Sequence, residues 1–340
     1  MKRLLLCAVL IMACQKASFQ GCDLLSLYQK APYPIGVAVD VDKLETVDKY
    51  RTIVLQQFNS ITAENVFKWA SIHPEDGEYD WAPCDYLADF TAKNHKRLHG
   101  HTLLWHGSVP DWVNNYKGDF DKLVHDHIAA VVGRYKGRIT SWDVVNEGIN
   151  NDGSLRSTIW SQKLGSDYIA KAFRYAHEAD PNALLFYNDY NLELIPAKLN
   201  AVLTMCTDLR KSGVQIDGIG VQMHINNNAP SQADIEAAAR RIADAGFLVH
   251  FSELDISMNE DGHKTSFSSQ DLTDQAARYY TVFNIYNQLN KKLQYGITLR
   301  GVSDADSWIM SWFRRADIPL LFDEHYQPKP AYCACKSSFK

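Results

Sequence analysis

The stretch Ser141-Trp142-Asp143-Val144-Val145-Asn146-Glu147 carries the fold argument. An apolar, β-branched run reads as a buried strand. It ends abruptly in an amide and a carboxylate. The same pattern recurs along the chain. Strand-like runs fall at 35–40, 60–65, 97–106, 139–147, 183–191, 218–224, 247–255 and 297–304. Nearly all of them end in polar groups: Glu64-Asn65, His101 to His106, Asn146-Glu147, Asn188-Asp189-Tyr190, Gln222 and His224, Glu253 and Asp255, and Asp304.

Helical patterns lie between the runs, at 120–135, 167–179, 197–212, 232–245 and 272–293. Ser231 and Asp234 read as N-terminal caps, and Gly213 and Gly246 sit where C-terminal caps are expected. Eight strand–helix units in about 300 residues predict a single α/β domain, a (β/α)8 or TIM barrel. A doubly wound sheet would call for a glycine fingerprint after the first strand, and none is present. In a barrel the C-terminal strand ends converge on one face, so the polar endings are predicted to share one site.

The chain of 340 residues is 46% hydrophobic and 22% charged, which argues against disorder. Its 35 basic and 40 acidic residues give a net charge of -5, so no basic excess exists to track a nucleic acid. Aromatics are plentiful, with 8 Trp, 17 Tyr and 14 Phe. Trp81, Trp142 and Trp160 read as core. Trp105, Trp308 and Trp312 flank the strand-end polar groups, where flat rings suit the C–H faces of sugars.

Met1-Lys2-Arg3 followed by an apolar run to Ala13 predicts a secretory leader over residues 1–21, with the barrel domain at 22–340. An alternative reading takes Cys14 as the lipidated residue of a cell-envelope protein. The remaining cysteines, Cys22, Cys84, Cys206, Cys333 and Cys335, are odd in number and widely spread. They predict no disulfide framework, and Cys206 reads as a buried free thiol.

Glu147 and Glu253 end the fourth and seventh strands. Paired carboxylates of unequal environment are the equipment for glycosidic-bond cleavage. His99-Gly100-His101 places two imidazoles on one strand face. Further ligands in a zinc-like cluster are not evident, so neither metal nor cofactor is expected. His125 and His127, two apart on a helix, should point different ways.

As a set, these motifs resemble glycoside hydrolase family 10, the endo-β-1,4-xylanases, from about Ile35 to Tyr332. The carrying segments are 62–69 (TAENVFKW), 100–106 (GHTLLWH), 142–147 (WDVVNE), 187–191 (YNDYN), 220–224 (GVQMH), 252–255 (SELD), 304–308 (DADSW) and 328–332 (PKPAY). The resemblance implies an enzyme acting on xylan by a retaining double displacement, and the leader and chain together are expected to give a secreted monomer. Glu147 would be the acid/base and Glu253 the nucleophile, with carboxyls about 5–5.5 Å apart.

Asn146 would bond the sugar 2-hydroxyl, His224 would bond Glu253, and Asp255 would orient that pair. His101, Trp105, Gln222 and Trp308 would shape the cleavage subsite. Glu64, Asn65 and Lys68 would bind the next glycone sugar, and Tyr190 the aglycone side. β-1,4-Glucanase activity and a non-catalytic glycan-binding barrel are the rival readings. One position departs from the family pattern: Arg300 stands eight residues before Trp308, where a second Trp is usual. The expectation is that Arg300 meets a polar or acidic decoration, pairs with an acid such as Asp304, or marks simple local repacking.

Overall fold

The computed structural model describes residue 22 and residues 26–339. The expected leader and Cys14 lie outside the described residues. Eight parallel strands form a closed barrel: β1 (Ile35–Val39), β2 (Ser60–Ala63), β3 (Arg97–Trp105), β4 (Ser141–Asn146), β5 (Leu184–Asp189), β6 (Gly218–Val221), β7 (Leu248–Ser257) and β8 (Gln294–Leu299). Each pairs with the next, and Ile35 opposite Ile297 closes the ring.

One long helix follows each strand: α1 (Asp48–Gln57), α2 (Ala82–Lys93), α3 (Phe120–Arg134), α4 (Tyr168–Ala179), α5 (Pro196–Lys211), α6 (Gln232–Asp244), α7 (Ser269–Asn287) and α8 (Pro330–Ser338). The chain is therefore a single (β/α)8 barrel. A three-residue strand, His224–Asn226, pairs with the outer end of β7.

The expected caps are in place. Ser231 and Asp234 exchange hydrogen bonds in a capping box at α6. Gly213 and Gly246 take φ of +86° and +77° just past α5 and α6, a region that residues with a Cβ avoid. The largest departures from the expected boundaries fall at the eighth strand and the helix before it. The eighth strand runs 294–299 rather than 297–304, because the buried Gln294 side chain donates to Tyr286 O at 2.7 Å and joins the core. The last expected helix stops at Asn287, and the Asn290 side chain caps a separate turn at Lys291–Leu293.

The cysteine expectation is corrected. Cys22 and Cys333 form a disulfide across 311 residues of sequence. Barrel closure brings the segment before β1 against α8, so a spacing that looks arbitrary along the chain is short in space. Cys206 is a buried free thiol, as are Cys84 and Cys335.

Trp142 and Trp160 are core, whereas Trp81 is half-buried and stacks on Tyr79 with ring centroids 4.5 Å apart. His127 is buried and His125 partly exposed. Beneath the mouth, the barrel interior is unusually polar. His99 Nδ1 meets Ser141 Oγ at 2.7 Å, and His250 Nε2 meets Thr298 Oγ1 at 2.8 Å. Gly100 has no side-chain room, since a Cβ there would sit 2.1 Å from the Trp142 ring.

Candidate active site

The strand ends converge on a cleft of about 530 Å³. Glu147 follows β4 and Glu253 lies within β7, and both line it. Glu147 adopts φ +60°, a conformation that costs a non-glycine residue on the order of 1–3 kcal/mol. Its backbone is held on both sides. Its N–H donates to Asn188 O at 2.9 Å, and its carbonyl accepts from Arg156 Nε at 2.9 Å.

The two carboxylates are joined by amides. Asn146 Nδ2 and Gln222 Nε2 donate to Glu147 Oε1 at 3.2 and 3.1 Å. Asn188 Nδ2 donates to Asn146 Oδ1 at 2.8 Å and to Glu253 Oε1 at 2.9 Å. Three amides from β4, β5 and the turn after β6 thus set the position of both acids.

Glu253 is surrounded by donors and cations. Burial disfavours its charge, but the hydrogen bond from His224 and the charges of His101, His224 and Arg300 outweigh it. Its carboxyl is held well below the usual carboxylate range. His224 Nε2 lies 3.4 Å from Glu253 Oε2, and its Nδ1 lies 3.0 Å from Asp255 Oδ2. Burial pushes the His224 imidazole down. The charge and hydrogen bond of Asp255, with those of Glu253, reverse this and carry its pKa up to about 10. His99 and His101 both turn to the buried Asp143, at 3.1 and 2.9 Å.

Lys68 is 8% exposed and donates to Asn65 Oδ1 at 2.9 Å. Burial and the Arg300 charge bring its pKa down to about 8. Asn65 itself is exposed at the rim. Glu64 faces Arg300, with 3.3 Å from its Oε1 to Nη1. The pairing expected between Arg300 and Asp304 is corrected here. Asp304 is buried with Lys329 at 2.7 Å, while Arg300 spans Glu64 and Glu253, reaching Glu253 Oε2 with Nε at 3.2 Å. Residues following β2 and β8, the two strands that flank β1 in the ring, meet at the barrel mouth, which a sequence neighbour such as Asp304 does not reach.

Aromatic walls complete the cleft. Trp308 Nε1 donates to Asp255 Oδ2 at 2.8 Å, so one carboxylate oxygen orients both the indole and His224. Trp105 lines the opposite part, with Lys68 Nζ 4.9 Å from its ring centre. Trp312 is 75% exposed on the rim, beside Phe313 at 49%. Tyr190 is held from two sides. Its hydroxyl accepts from Arg156 Nη2 at 2.7 Å, and Lys198 Nζ lies 3.5 Å from its ring centre.

Every side chain expected at the site lines this cleft or contacts a residue that does. Five more residues, given no site role by the sequence, belong here: Asn188, Asn191, Arg156, His106 and Phe313. Asn188 ends its strand beside Asp189 and carried the same end-of-strand signal as Asn146. Arg156 lies in a loop and Phe313 ends the six-residue helix Trp308–Phe313, too short for periodicity to mark it. His106 and Arg156 also line an adjoining hollow of about 540 Å³.

A TIM barrel whose fourth and seventh strands present two carboxylates of unequal environment, in one aromatic-walled cleft, is a glycoside hydrolase. The model of "Glycosyl hydrolase family 10" matches residues 24–338, and the chain belongs to that family. It is 39% identical over 317 residues to an endo-1,4-beta-xylanase of Geobacillus stearothermophilus, covering 88% of this chain and 94% of that one. It is 36% identical over 322 residues to endo-1,4-beta-xylanase B of Thermotoga neapolitana, covering 93% and 91%. Among solved structures, that of a family 10 protein from Paenibacillus barcinonensis superposes with a TM-score of 0.89 at 34% identity, covering 94% of this chain and 99% of that one.

Proposed function

We propose that this chain is an endo-β-1,4-xylanase that hydrolyses xylan with retention, Glu253 acting as nucleophile and Glu147 as acid/base. The observation that carries the reading is the asymmetry of the two carboxylates. Glu253 is compensated by His224, His101 and Arg300 and stays ionised. Among the described residues, the hydrogen bonds to Glu147 Oε1 come from neutral amides. In the first step Glu253 attacks the anomeric carbon while Glu147 gives its proton to the departing glycosidic oxygen. In the second step Glu147 takes a proton from water, which displaces Glu253.

Asn146, fixed by Asn188 and Gln222, is placed to hold the 2-hydroxyl. Lys68, Asn65 and Glu64 line the glycone side, and Tyr190 the aglycone side. The hollow beyond His106 and Arg156 supports endo action, since it gives the leaving chain room for further sugars. Proton NMR of fresh products from a defined xylo-oligosaccharide tests this. The β-anomer should appear first, and Glu253→Gln should abolish turnover. An α-anomer first product would overturn it.

We further propose that the protein is exported as a monomer, processed near residue 21 or lipid-anchored at Cys14. The Cys22–Cys333 disulfide supports export, because such bonds persist in oxidising compartments. Fractionation of the source cells, with mass analysis of the mature N-terminus, distinguishes a cleaved leader, a lipid anchor and retention inside the cell.

A further inference from the structure

Arg300 stands just past β8, where its N–H donates to Leu254 O at 3.0 Å and so is tied to the residue after Glu253. Its side chain is 12% exposed. The guanidinium touches Glu253 Oε2 at 3.2 Å and Glu64 Oε1 at 3.3 Å. A cation already shared between two carboxylates offers little net charge to an acidic decoration. The geometry directs its action inward instead.

On the reading of Glu253 as nucleophile, we infer that Arg300 is a positioning residue acting through Glu253, pinning Oε2 while the carboxylate is free and drawing it back off the sugar in the second step. As the bond from Glu253 to the anomeric carbon forms, the carboxylate gives up its charge beside the guanidinium, which opposes that step. When water attacks, its proton passes to Glu147 and the bond from the anomeric carbon to Glu253 breaks. The electron pair returns to Glu253, and charge is rebuilt 3.2 Å from Arg300 Nε. Departure is favoured by the same attraction. Glu64 keeps Arg300 compensated while Glu253 is esterified.

The other groups facing Glu253 are His224 from the short strand after β6, His101 from β3, Lys68 and Glu64 beyond β2, Asn188 from β5 and Glu147 after β4. Asp255 stands behind His224, and Asp143 behind His101. Lys68, brought down to about 8, titrates within the range of enzyme assays. Arg300 does not, so its pull on Glu253 is constant with pH.

The test uses the full-length protein and its Arg300→Met and Arg300→Lys variants with 2,4-dinitrophenyl β-xylobioside in stopped flow, together with pH profiles of kcat/KM. Arg300→Met should release a burst of phenol approaching one equivalent, with steady-state kcat down at least about tenfold. Its acidic limb should move up by about one pH unit. Arg300→Lys should recover most of the limb position. Where Arg300→Met fails to fold, Arg300→Met/Glu64→Gln removes both charges and should show the same burst. Wild-type burst amplitude and an unmoved acidic limb in the folded variants would overturn the inference. Wild-type turnover in Glu253→Gln would instead overturn the nucleophile reading on which it rests.

Discussion

A Cβ placed on Gly220 would lie 2.1 Å from Asn188 Oδ1. Asn188 needs that space, because its Oδ1 also accepts from Ser252 Oγ at 2.6 Å while its Nδ2 reaches Asn146 and Glu253. A missing methyl group on β6 thereby sets the orientation of an amide on β5 and, through it, of both acids. Gly220→Ala should lower kcat about 10–100-fold, the range for an ångström-scale misplacement. Stability should fall by only about 1–3 kcal/mol, the usual cost of overpacking. Steady-state kinetics beside urea unfolding checks this; unchanged kcat would show that Asn188 does not transmit position.

The His224 imidazole, carried up to about 10 from an ordinary 6.5, ties stability to pH. Its folded value exceeds its unfolded value. The stabilisation is therefore full below about pH 6.5, declines above it and is gone beyond about pH 10. Unfolding free energies at pH 6, 8 and 10 should fall more steeply for the wild type than for His224→Gln. Parallel curves would count against a charged His224.

Lys198 and Asp189 are both fully buried, with Nζ 2.6 Å from Oδ1. Removing one partner of such a pair typically costs about 3–5 kcal/mol, because the other charge is left unpaired. Lys198→Met should show this loss in chemical unfolding. Lys198→Met/Asp189→Asn should recover more than half of it, yet still raise KM, since Lys198 also supports the Tyr190 ring from below. Recovery of KM in the double variant would separate Lys198 from Tyr190 positioning.

Cys22→Ser should reduce stability by about 2–4 kcal/mol, the typical value for one disulfide. The bond closes nearly the whole chain and lies in the wall of α8, away from the cleft. Denaturant curves of wild type and variant should coincide once a reductant is present, and kcat should not change. A variant as stable as the oxidised wild type would show that the barrel alone holds the termini together.

Much of this site is legible in the sequence. Glu147, Glu253, Asn146, Gln222 and His224 each end an apolar run, and alternation of strands with helices says that such ends meet. Arg156 and Phe313 were not legible, because neither a loop nor a six-residue helix carries a period that points a side chain anywhere. The link between Asn188 and Gly220 was hidden for a different reason. A glycine in a strand signals a close approach, but not whose side chain approaches.

Sequence alone determined the eight strands, five of the helices between them, and the two carboxylates at strand ends, because buried strands and amphipathic helices leave periodic marks on a linear chain. Tertiary structure alone decided the pairs that no period records: Cys22 with Cys333, and Arg300 with Glu64 and Glu253 rather than with its neighbour Asp304. Closing the barrel sets the first strand beside the last and brings eight distant loops over one axis. Which charges then compensate one another depends on a few ångströms of separation, and distance along the chain carries no record of it.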